Sequence, residues 1–280
     1  MSAKASEERA ADAMPAQAPA PKRTSGWVRF WRTYGLAILF VLMILVIWEL
    51  WIRIFDVPKY LLASPTGIVT AMRKDWSRYL LPNLWPTLTE VLIGFGISVV
   101  AGVGLAIVLH LFAPLRRAVY PILIGSQTIP IVVLAPVLVI LLGYGLLPKV
   151  VIVALICFFP IVVNTIDGLA SVDPDLLKVM RTLDGNRWAT LRRVEAPAAL
   201  PSMFSGLRIA ATYAPIGAVF GEYAGSQNGL GYVMIQAIPQ LETDLVFAAI
   251  FILTFEAILL FIAVSVLERI TCPWAREGKR

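Results

Sequence analysis

The feature that most constrains this chain is a set of long segments without charge. Residues 118–148 carry no charged side chain, and other segments are nearly as apolar. A helix needs about 20 apolar residues to cross the ~30 Å hydrocarbon core of a bilayer. Over all 280 residues, hydrophobic side chains make up 59% and charged ones 15%, against roughly 45–50% and 25% in soluble domains. The sequence predicts an all-α, polytopic membrane protein with six transmembrane helices.

The predicted spans contain proline and glycine at informative places. Pro130 and Pro136 should bend span three, because proline lacks the N–H that a helix needs. In span two, glycines at 94, 96, 102 and 104 should permit close helix approach. The spans cover approximately 34–55, 88–112, 118–148 (including a turn at 143–145), 149–166, 203–222 and 245–267.

Lys and Arg residues are distributed unevenly between the spans. With the N-terminus in the cytoplasm, 17 of the 24 basic residues fall on the cytoplasmic side, six fall on the other side, and Arg208 lies within span five. Basic residues accumulate on the cytoplasmic side of membrane proteins. The pattern predicts that both termini are cytoplasmic.

The segments outside the spans complete the predicted organisation. Residues 1–26, rich in Ala, Pro and charge, should form a disordered arm. Ser64 and Pro65 should begin an amphipathic helix on the outer surface. The predicted divisions are a cytoplasmic arm at 1–26, the first helix and an extracytoplasmic segment at 27–86, a five-helix core at 87–270 with a cytoplasmic loop at 167–202, and a cytoplasmic tail at 271–280.

The loop at 167–202 is too long for a simple connection of about 2–8 residues. Asp173 and Pro174 fit the start of a short helix, and Gly185 can supply its left-handed C-terminal cap. Asn186 can cap a second helix. The loop therefore predicts two short, capped helices rather than an irregular connection.

Both predicted helices have an apolar face, and the second also has a basic one. Pro197 and Pro201 should end the second helix and turn the chain into span five. Such a pair could dock on another protein, or it could lie on anionic lipid. The apolar faces comprise Leu176, Val179, Met180 and Leu183, then Trp188, Leu191 and Val194, opposite Arg187, Arg192 and Arg193.

Residues 178–197, KVMRTLDGNRWATLRRVEAP, resemble the EAA loop of binding-protein-dependent ABC importer permeases. That loop has the pattern Glu-Ala-Ala, then Gly, then Ile-x-Leu-Pro. Here Lys178 stands at the first position of the pattern and Asp184 at the position of the Gly, which is found one residue later, at Gly185. Pro197 is the one residue of the pattern that is retained. The resemblance implies that an ATPase subunit contacts this loop. The implied coupling residues are Lys178, Met180, Arg181, Leu183, Asp184, Gly185, Trp188, Val194 and Pro197.

Residues 58–65, 196–210 and 217–234 are similar to the nitrate, sulfonate and taurine permease subfamily, and within it to permeases for pyrimidine thiamin precursors. The resemblance implies a type I ABC importer permease core in the bacterial inner membrane. The solute expected first is a pyrimidine thiamin precursor, and second a sulfonate, taurine or nitrate.

This resemblance also implies partners. They are two cytoplasmic ATPase subunits, an extracytoplasmic solute-binding protein and a second permease copy, in a homodimer, with no role for nucleic acid. The sequence has no G-x-x-x-x-G-K-[ST] phosphate loop. We therefore expect no enzyme activity, metal or cofactor in this chain, and we expect ATP and Mg on the partner ATPase.

Polar residues within or beside the spans are candidates for a gate or translocation path. Glu222 could shape an outer gate or make a structural hydrogen bond, and Glu256 could pair with a donor such as Arg208 or face the path. His110 is read as an interfacial polar residue rather than a metal ligand. The path candidates are Gln127, Tyr213, Glu222, Gly229, Gly231 and Glu256.

Two other classes of function compete with the importer permease. An ion-gradient-driven secondary transporter often shows repeated halves and intramembrane ionisable networks, and no internal repeat is evident here. An intramembrane protease needs a nucleophile and a base at membrane depth, whereas the one histidine stands at the edge of span two. The secondary transporter is the main alternative.

Overall fold

The structure, a computed structural model, describes residues 26–274, with side chains from residue 35 onward. The chain divides into two units, residues 1–51 and 52–280. The predicted disordered arm, apart from Gly26, and the end of the predicted tail lie outside the described residues.

Every regular element in the described part of the chain is helical. Two π-helical turns, Trp76–Leu80 and Leu191–Glu195, and one 3₁₀ turn, Ile238–Gln240, join some of the helices end to end. The helices are α1 (Gly26–Ile54), α2 (Pro65–Asp75), α3 (Leu81–Leu111), α4 (Ala113–Ser126), α5 (Ile131–Leu142), α6 (Leu146–Ala170), α7 (Pro174–Thr182), α8 (Arg187–Thr190), α9 (Ala196–Tyr223), α10 (Leu230–Ala237) and α11 (Thr243–Thr271).

Five helical stretches among the described residues are long and apolar enough to cross a membrane. Helices α4 and α5 provide a sixth when they are counted as one broken span, bent by 100°. The all-α architecture and the six spans match the prediction. The five unbroken stretches are Gly35–Ile54, Pro65–Leu111, Leu146–Ala170, Arg187–Tyr223 and Thr243–Thr271.

The bend between α4 and α5 lies at Pro130. The N–H groups of Gln127 and Thr128 bond carbonyls three residues back, which closes α4, and Pro130 then precedes α5 in an extended conformation. Pro136, by contrast, lies inside α5 without a break. The prediction of a bend is thus confirmed at the first proline, while the helix continues through the second.

The predicted surface helix is continuous with span two. Ser64 Oγ accepts a hydrogen bond from Gly67 N at 3.0 Å, so the predicted start is confirmed. The chain then passes through the π turn Trp76–Leu80 directly into α3. Helix α2 packs on α11. Just before α2, the Tyr60 carbonyl accepts from the Thr243 hydroxyl at the start of α11, at 2.9 Å. A separate helix on the outer surface was therefore the wrong interpretation.

Span five also begins earlier than predicted, since one helical path runs from Arg187 to Tyr223. Pro197 and Pro201 do not end a helix. Pro197 is the second residue of α9, directly after the π turn Leu191–Glu195, and Pro201 lies inside the helix. The π turn Leu191–Glu195 joins α8 to α9, so the loop leads straight into the membrane.

Two glycines of α3 allow it to approach α6 closely. A Cβ added at Gly94 would lie 2.5 Å from Val153 Cβ, and one at Gly102 would lie 2.9 Å from a side chain of the same helix. Gly96 and Gly104 face open space in the described chain. The prediction of close approach is wrong for those two, because a helix of 3.6 residues per turn places 94 and 102 on one face and turns 96 and 104 away.

Helices α6 and α9 are in close contact along much of their length. A Cβ added at Gly206 would lie 2.6 Å from the Pro160 carbonyl oxygen, and one at Gly217 would lie 2.9 Å from Val153 Cα. Small residues let backbones approach, which drives helix association in lipid. Helices α3, α6 and α9 form a tightly packed core whose buried members include Val91, Val153, Cys157, Ile161, Phe204, Leu207, Ala210, Ala211, Ala214 and Ala218.

This packing makes two neighbouring glycines respond differently to the same substitution. Gly94→Ala should lower the thermal unfolding midpoint in detergent, because overpacking costs about 1–3 kcal/mol. Gly96→Ala should leave the midpoint unchanged or raise it, because alanine favours a helix by roughly 0.5–1 kcal/mol over glycine. Equal midpoints for the two variants would contradict the close contact between α3 and α6.

Candidate functional site

The first candidate site is the basic loop, residues 171–195 between α6 and α9. Its helix α7 is capped as predicted, since Asp173 Oδ1 accepts from Asp175 N at 2.8 Å and Pro174 takes the first helical position. Lys178 pairs with Asp175 at 2.7 Å on the exposed surface. The start of α8 is also confirmed, with Asn186 Oδ1 accepting from Ala189 N at 2.7 Å.

The turn between α7 and α8 has a left-handed residue at Asp184 rather than at Gly185. Asp184 has φ of 51°, and Gly185 N donates to the Met180 carbonyl at 2.9 Å while Asp184 N donates to that of Arg181 at 3.2 Å. These two bonds define a Schellman ending. The predicted cap at Gly185 is therefore one residue off. Gly185 has another constraint, since a Cβ there would lie 2.8 Å from the Met180 carbonyl oxygen.

Four apolar side chains of the basic loop face outward. Leu183 is 71% exposed and Trp188 is 62% exposed, and Leu176 and Val179 are each more than half exposed. Leu191, which shares the predicted face with Trp188, instead packs in the core with Leu169 and Ala199. The loop thus exposes four large apolar side chains beside five basic residues.

Two contacts that the sequence did not predict tie the basic loop to the end of α3. Arg187 Nη1 donates to the Leu111 carbonyl at 3.3 Å, and His110 Nε2 lies 3.0 Å from Glu195 Oε2. His110 therefore has a carboxylate partner as well as its predicted place at the end of span two. A cavity of about 540 Å³ lies between these elements.

The second candidate site surrounds the glycine loop, residues 224–229 between α9 and α10. Glu222 is buried near the end of α9, just before this loop. Its carboxylate accepts from the Thr87 hydroxyl at 2.6 Å and from Gly231 N at 2.5 Å. Asn83 Oδ1 accepts from Gly229 N at 2.8 Å. Glu222 thus makes structural hydrogen bonds, one of the two roles considered for it.

Together these acceptors satisfy the first N–H groups of α10. Thr87 Oγ1 also accepts from Leu230 N at 2.8 Å, so three successive backbone donors each have a side-chain acceptor. Such donors have no partner within their own helix. Gly229 has φ of 104°, and a Cβ there would lie 2.1 Å from the Glu222 carboxyl carbon, so a side chain at this position is excluded.

A buried ion pair lies beside the glycine loop. Lys149 Nζ pairs with Glu90, and it also donates to Ser226 Oγ at 2.9 Å and Asn228 Oδ1 at 3.3 Å. All three ammonium donors of the lysine are therefore used. Neither Glu90 nor Lys149 was a predicted site residue, although Glu90 stands directly before an uncharged run and could have been noticed.

The remaining path candidates, Gln127, Tyr213 and Glu256, belong to three different elements. Gln127 is exposed at the bend between α4 and α5, and Tyr213 is half exposed on α9. Glu256 is buried in α11, and its carboxylate makes no hydrogen bond in the described part of the chain. Of the two roles considered for Glu256, a pair with Arg208 is absent, since Arg208 pairs with Glu268 instead.

The hydrogen bonds around α10 predict a contrast between two threonines of α3. Thr87→Val should lower the thermal unfolding midpoint, because burying a donor or acceptor without its partner costs about 1–3 kcal/mol. Thr89→Val is the control, since Thr89 is exposed and bonds only the Trp85 carbonyl of its own helix. A Thr87→Val variant as stable as the control would show that this network contributes little.

Comparison with known proteins places this geometry in a family. Residues 94–274 match the family of binding-protein-dependent transport system inner membrane components. The formylaminopyrimidine transport permease protein of Halalkalibacterium halodurans is 40% identical over 85% of this chain and 95% of its own length. The riboflavin transport system permease protein of Chloroflexus aurantiacus is 34% identical over 87% of this chain and 91% of its own.

A more distant relative and a solved structure also match this chain. A putative aliphatic sulfonates transport permease protein of Bacillus subtilis is 30% identical over 95% of this chain and 96% of its own length. An inward-facing structure of the MetNI methionine ABC transporter superposes with a TM-score of 0.61 at 20% identity, covering 69% of this chain and 95% of that one. The chain belongs to the family of binding-protein-dependent transport system inner membrane components and is a multi-pass ABC importer permease.

Proposed function

We propose that this permease imports a small heteroaromatic solute and is driven by ATP hydrolysis on a separate subunit that contacts residues 173–197. ATP and Mg would be bound by that subunit. The observation that carries the proposal is the exposed apolar set of the basic loop, Leu176, Val179, Leu183 and Trp188. Contiguous exposed apolar surface marks a site of association.

A protein groove explains this surface better than lipid does. Trp188 and Leu183 lie on two sides of a fixed turn whose backbone bonds are satisfied, so the apolar set is held in one arrangement. Tryptophan is prominent among residues that dominate binding energy at protein interfaces. The alternative, a loop lying on anionic lipid, needs no such fixed shape.

The contacts of the loop explain how its displacement would reach the membrane. Arg187 and the His110–Glu195 pair attach it to α3, and Leu191 anchors it in the core. The helical path Arg187–Tyr223 then continues to Glu222. At 1.5 Å per residue this path is roughly 50 Å long, so movement at the loop would be carried to the glycine loop.

The charge distribution supports the orientation of this assembly. The basic loop would face the cytoplasm and meet the ATPase, with both termini on the same side. The glycine loop would face outward, where a binding protein delivers the solute. A second copy of this chain would complete the path as a homodimer.

The solute proposed first is a formylaminopyrimidine-like thiamin precursor, and second a sulfonate, taurine or nitrate. Support comes from the relatives, among which the formylaminopyrimidine permease is 40% identical and the sulfonate permease 30% identical.

The docking surface can be tested with exposed residues of the basic loop. Trp188→Ala combined with Leu183→Ser should weaken association with the ATPase subunit by at least about 30-fold, as for loss of a hot spot of about 2 kcal/mol. Binding of purified permease to the cognate ATPase in nanodiscs measures this effect. ATP-driven uptake in proteoliposomes should fall in parallel, with the unfolding midpoint unchanged.

Thr182→Ala is the control, because Thr182 is exposed at the end of α7, directly before Leu183, and its hydroxyl bonds only the Val179 carbonyl. It should retain ATPase binding and uptake. Full ATPase binding by the double variant would disprove the docking role of the loop. Uptake by this chain in ATP-free vesicles under an ion gradient would support a secondary transporter instead.

A further inference from the structure

A cavity of about 600 Å³ opens beside the glycine loop. Its walls come from the start of α3, the turn before α6 and the glycine loop itself. This volume is within the roughly 300–1,000 Å³ of small-molecule sites. The lining residues that matter most are Trp85, Glu90, Tyr144, Lys149, Gln227 and Asn228.

The charges in this cavity cancel. Among the described residues that line it, Glu90 and Lys149 alone are charged, and they pair with each other. The remaining two donors of Lys149 are held by Ser226 and Asn228. Binding an anion such as a sulfonate would require breaking these bonds, because strong recognition of an anion uses charged donors that are free to approach it.

Two aromatic side chains line the cavity together with the Glu90–Lys149 pair. Trp85 is 63% exposed and Tyr144 is 83% exposed, although both line the cavity. Aromatic side chains of this kind stack on planar heterocycles. Gln227 makes no hydrogen bond in the described part of the chain, so its carboxamide has both a donor and an acceptor available for the edge of a ring.

We infer that this cavity is a solute-binding site for a neutral, planar heteroaromatic ring with donors and acceptors on its edge. The ring stacks on Trp85 and Tyr144 and bonds Gln227, while the internally paired Lys149 excludes anionic solutes. The inference rests on the proposed function and deepens it, since it assigns a contact site in the permease and selects the pyrimidine over the sulfonate.

Direct binding tests the site without the solute-binding protein. Tritiated formylaminopyrimidine is titrated onto the permease–ATPase complex in nanodiscs and read by scintillation proximity. Trp85→Leu and Tyr144→Leu should each weaken binding about tenfold, as expected for loss of one stacked ring. Excess unlabelled formylaminopyrimidine should displace the label, and the anion ethanesulfonate at the same concentration should not.

Trp76→Leu is the matched control, because Trp76 is also exposed and lies on the same continuous helix outside the cavity. It should bind like the parent protein. Displacement by ethanesulfonate as effective as by the pyrimidine would overturn the inference. So would equal binding by the Trp85→Leu, Tyr144→Leu and Trp76→Leu variants.

Uptake by the complete transporter separates failure of this site from failure of the proposed function. In proteoliposomes with the ATPase and binding protein, the parent protein should import formylaminopyrimidine with ATP, and the Trp85 and Tyr144 variants should import it about tenfold more slowly. Normal uptake by these variants overturns the binding site alone. Absence of ATP-driven uptake of formylaminopyrimidine and of taurine by the parent overturns both proposals.

Discussion

The close contact of α6 with α3 and α9 is the constraint on which the rest of this structure depends. At Gly94 and Gly206 a single added carbon would meet atoms of α6 at 2.5 and 2.6 Å. In lipid such contacts replace the hydrophobic driving force between helices, since lipid tails are as apolar as the side chains. The three helices therefore hold a fixed relative position, and they carry the functional groups at both ends.

Polar contacts attach one candidate site to each end of this core. At one end Arg187 and the His110–Glu195 pair attach an exposed, apolar-faced loop to the helices. At the other end Glu222 and Thr87 hold the first turn of α10, and Lys149 joins α6 to the glycine loop. The path Arg187–Tyr223 joins the two ends, and under the proposed function it would carry movement of the loop to the cavity beside Trp85.

Much of the fold could be predicted from local sequence rules. Apolar length predicts the spans, and the caps Ser64, Asp173 and Asn186 follow from the preference of short polar side chains for free helix N–H groups. The left-handed cap was placed at Gly185 instead of Asp184, because propensity alone does not fix where a helix ends. Pro197 and Pro201 were expected to end the second helix of the loop, but the helical path Arg187–Tyr223 continues through both.

The site contacts could not be predicted in the same way. His110 and Glu195 are 85 residues apart, and Arg208 and Glu268 are 60 apart, so their pairing depends on the packing of different spans. The same limit applies to Lys149, which counts in the sequence as a loop cation, and to Arg208, which was one partner considered for Glu256 and pairs with Glu268 instead.

The central claim is that the basic loop faces the cytoplasm and receives force there. Cysteine labelling tests it most directly, because the native Cys157 and Cys272 are both buried. In intact cells, Leu183→Cys should resist a membrane-impermeant maleimide and react only after the membrane is opened. Rapid labelling of that cysteine from outside the cell would place the loop away from any ATPase and contradict the account.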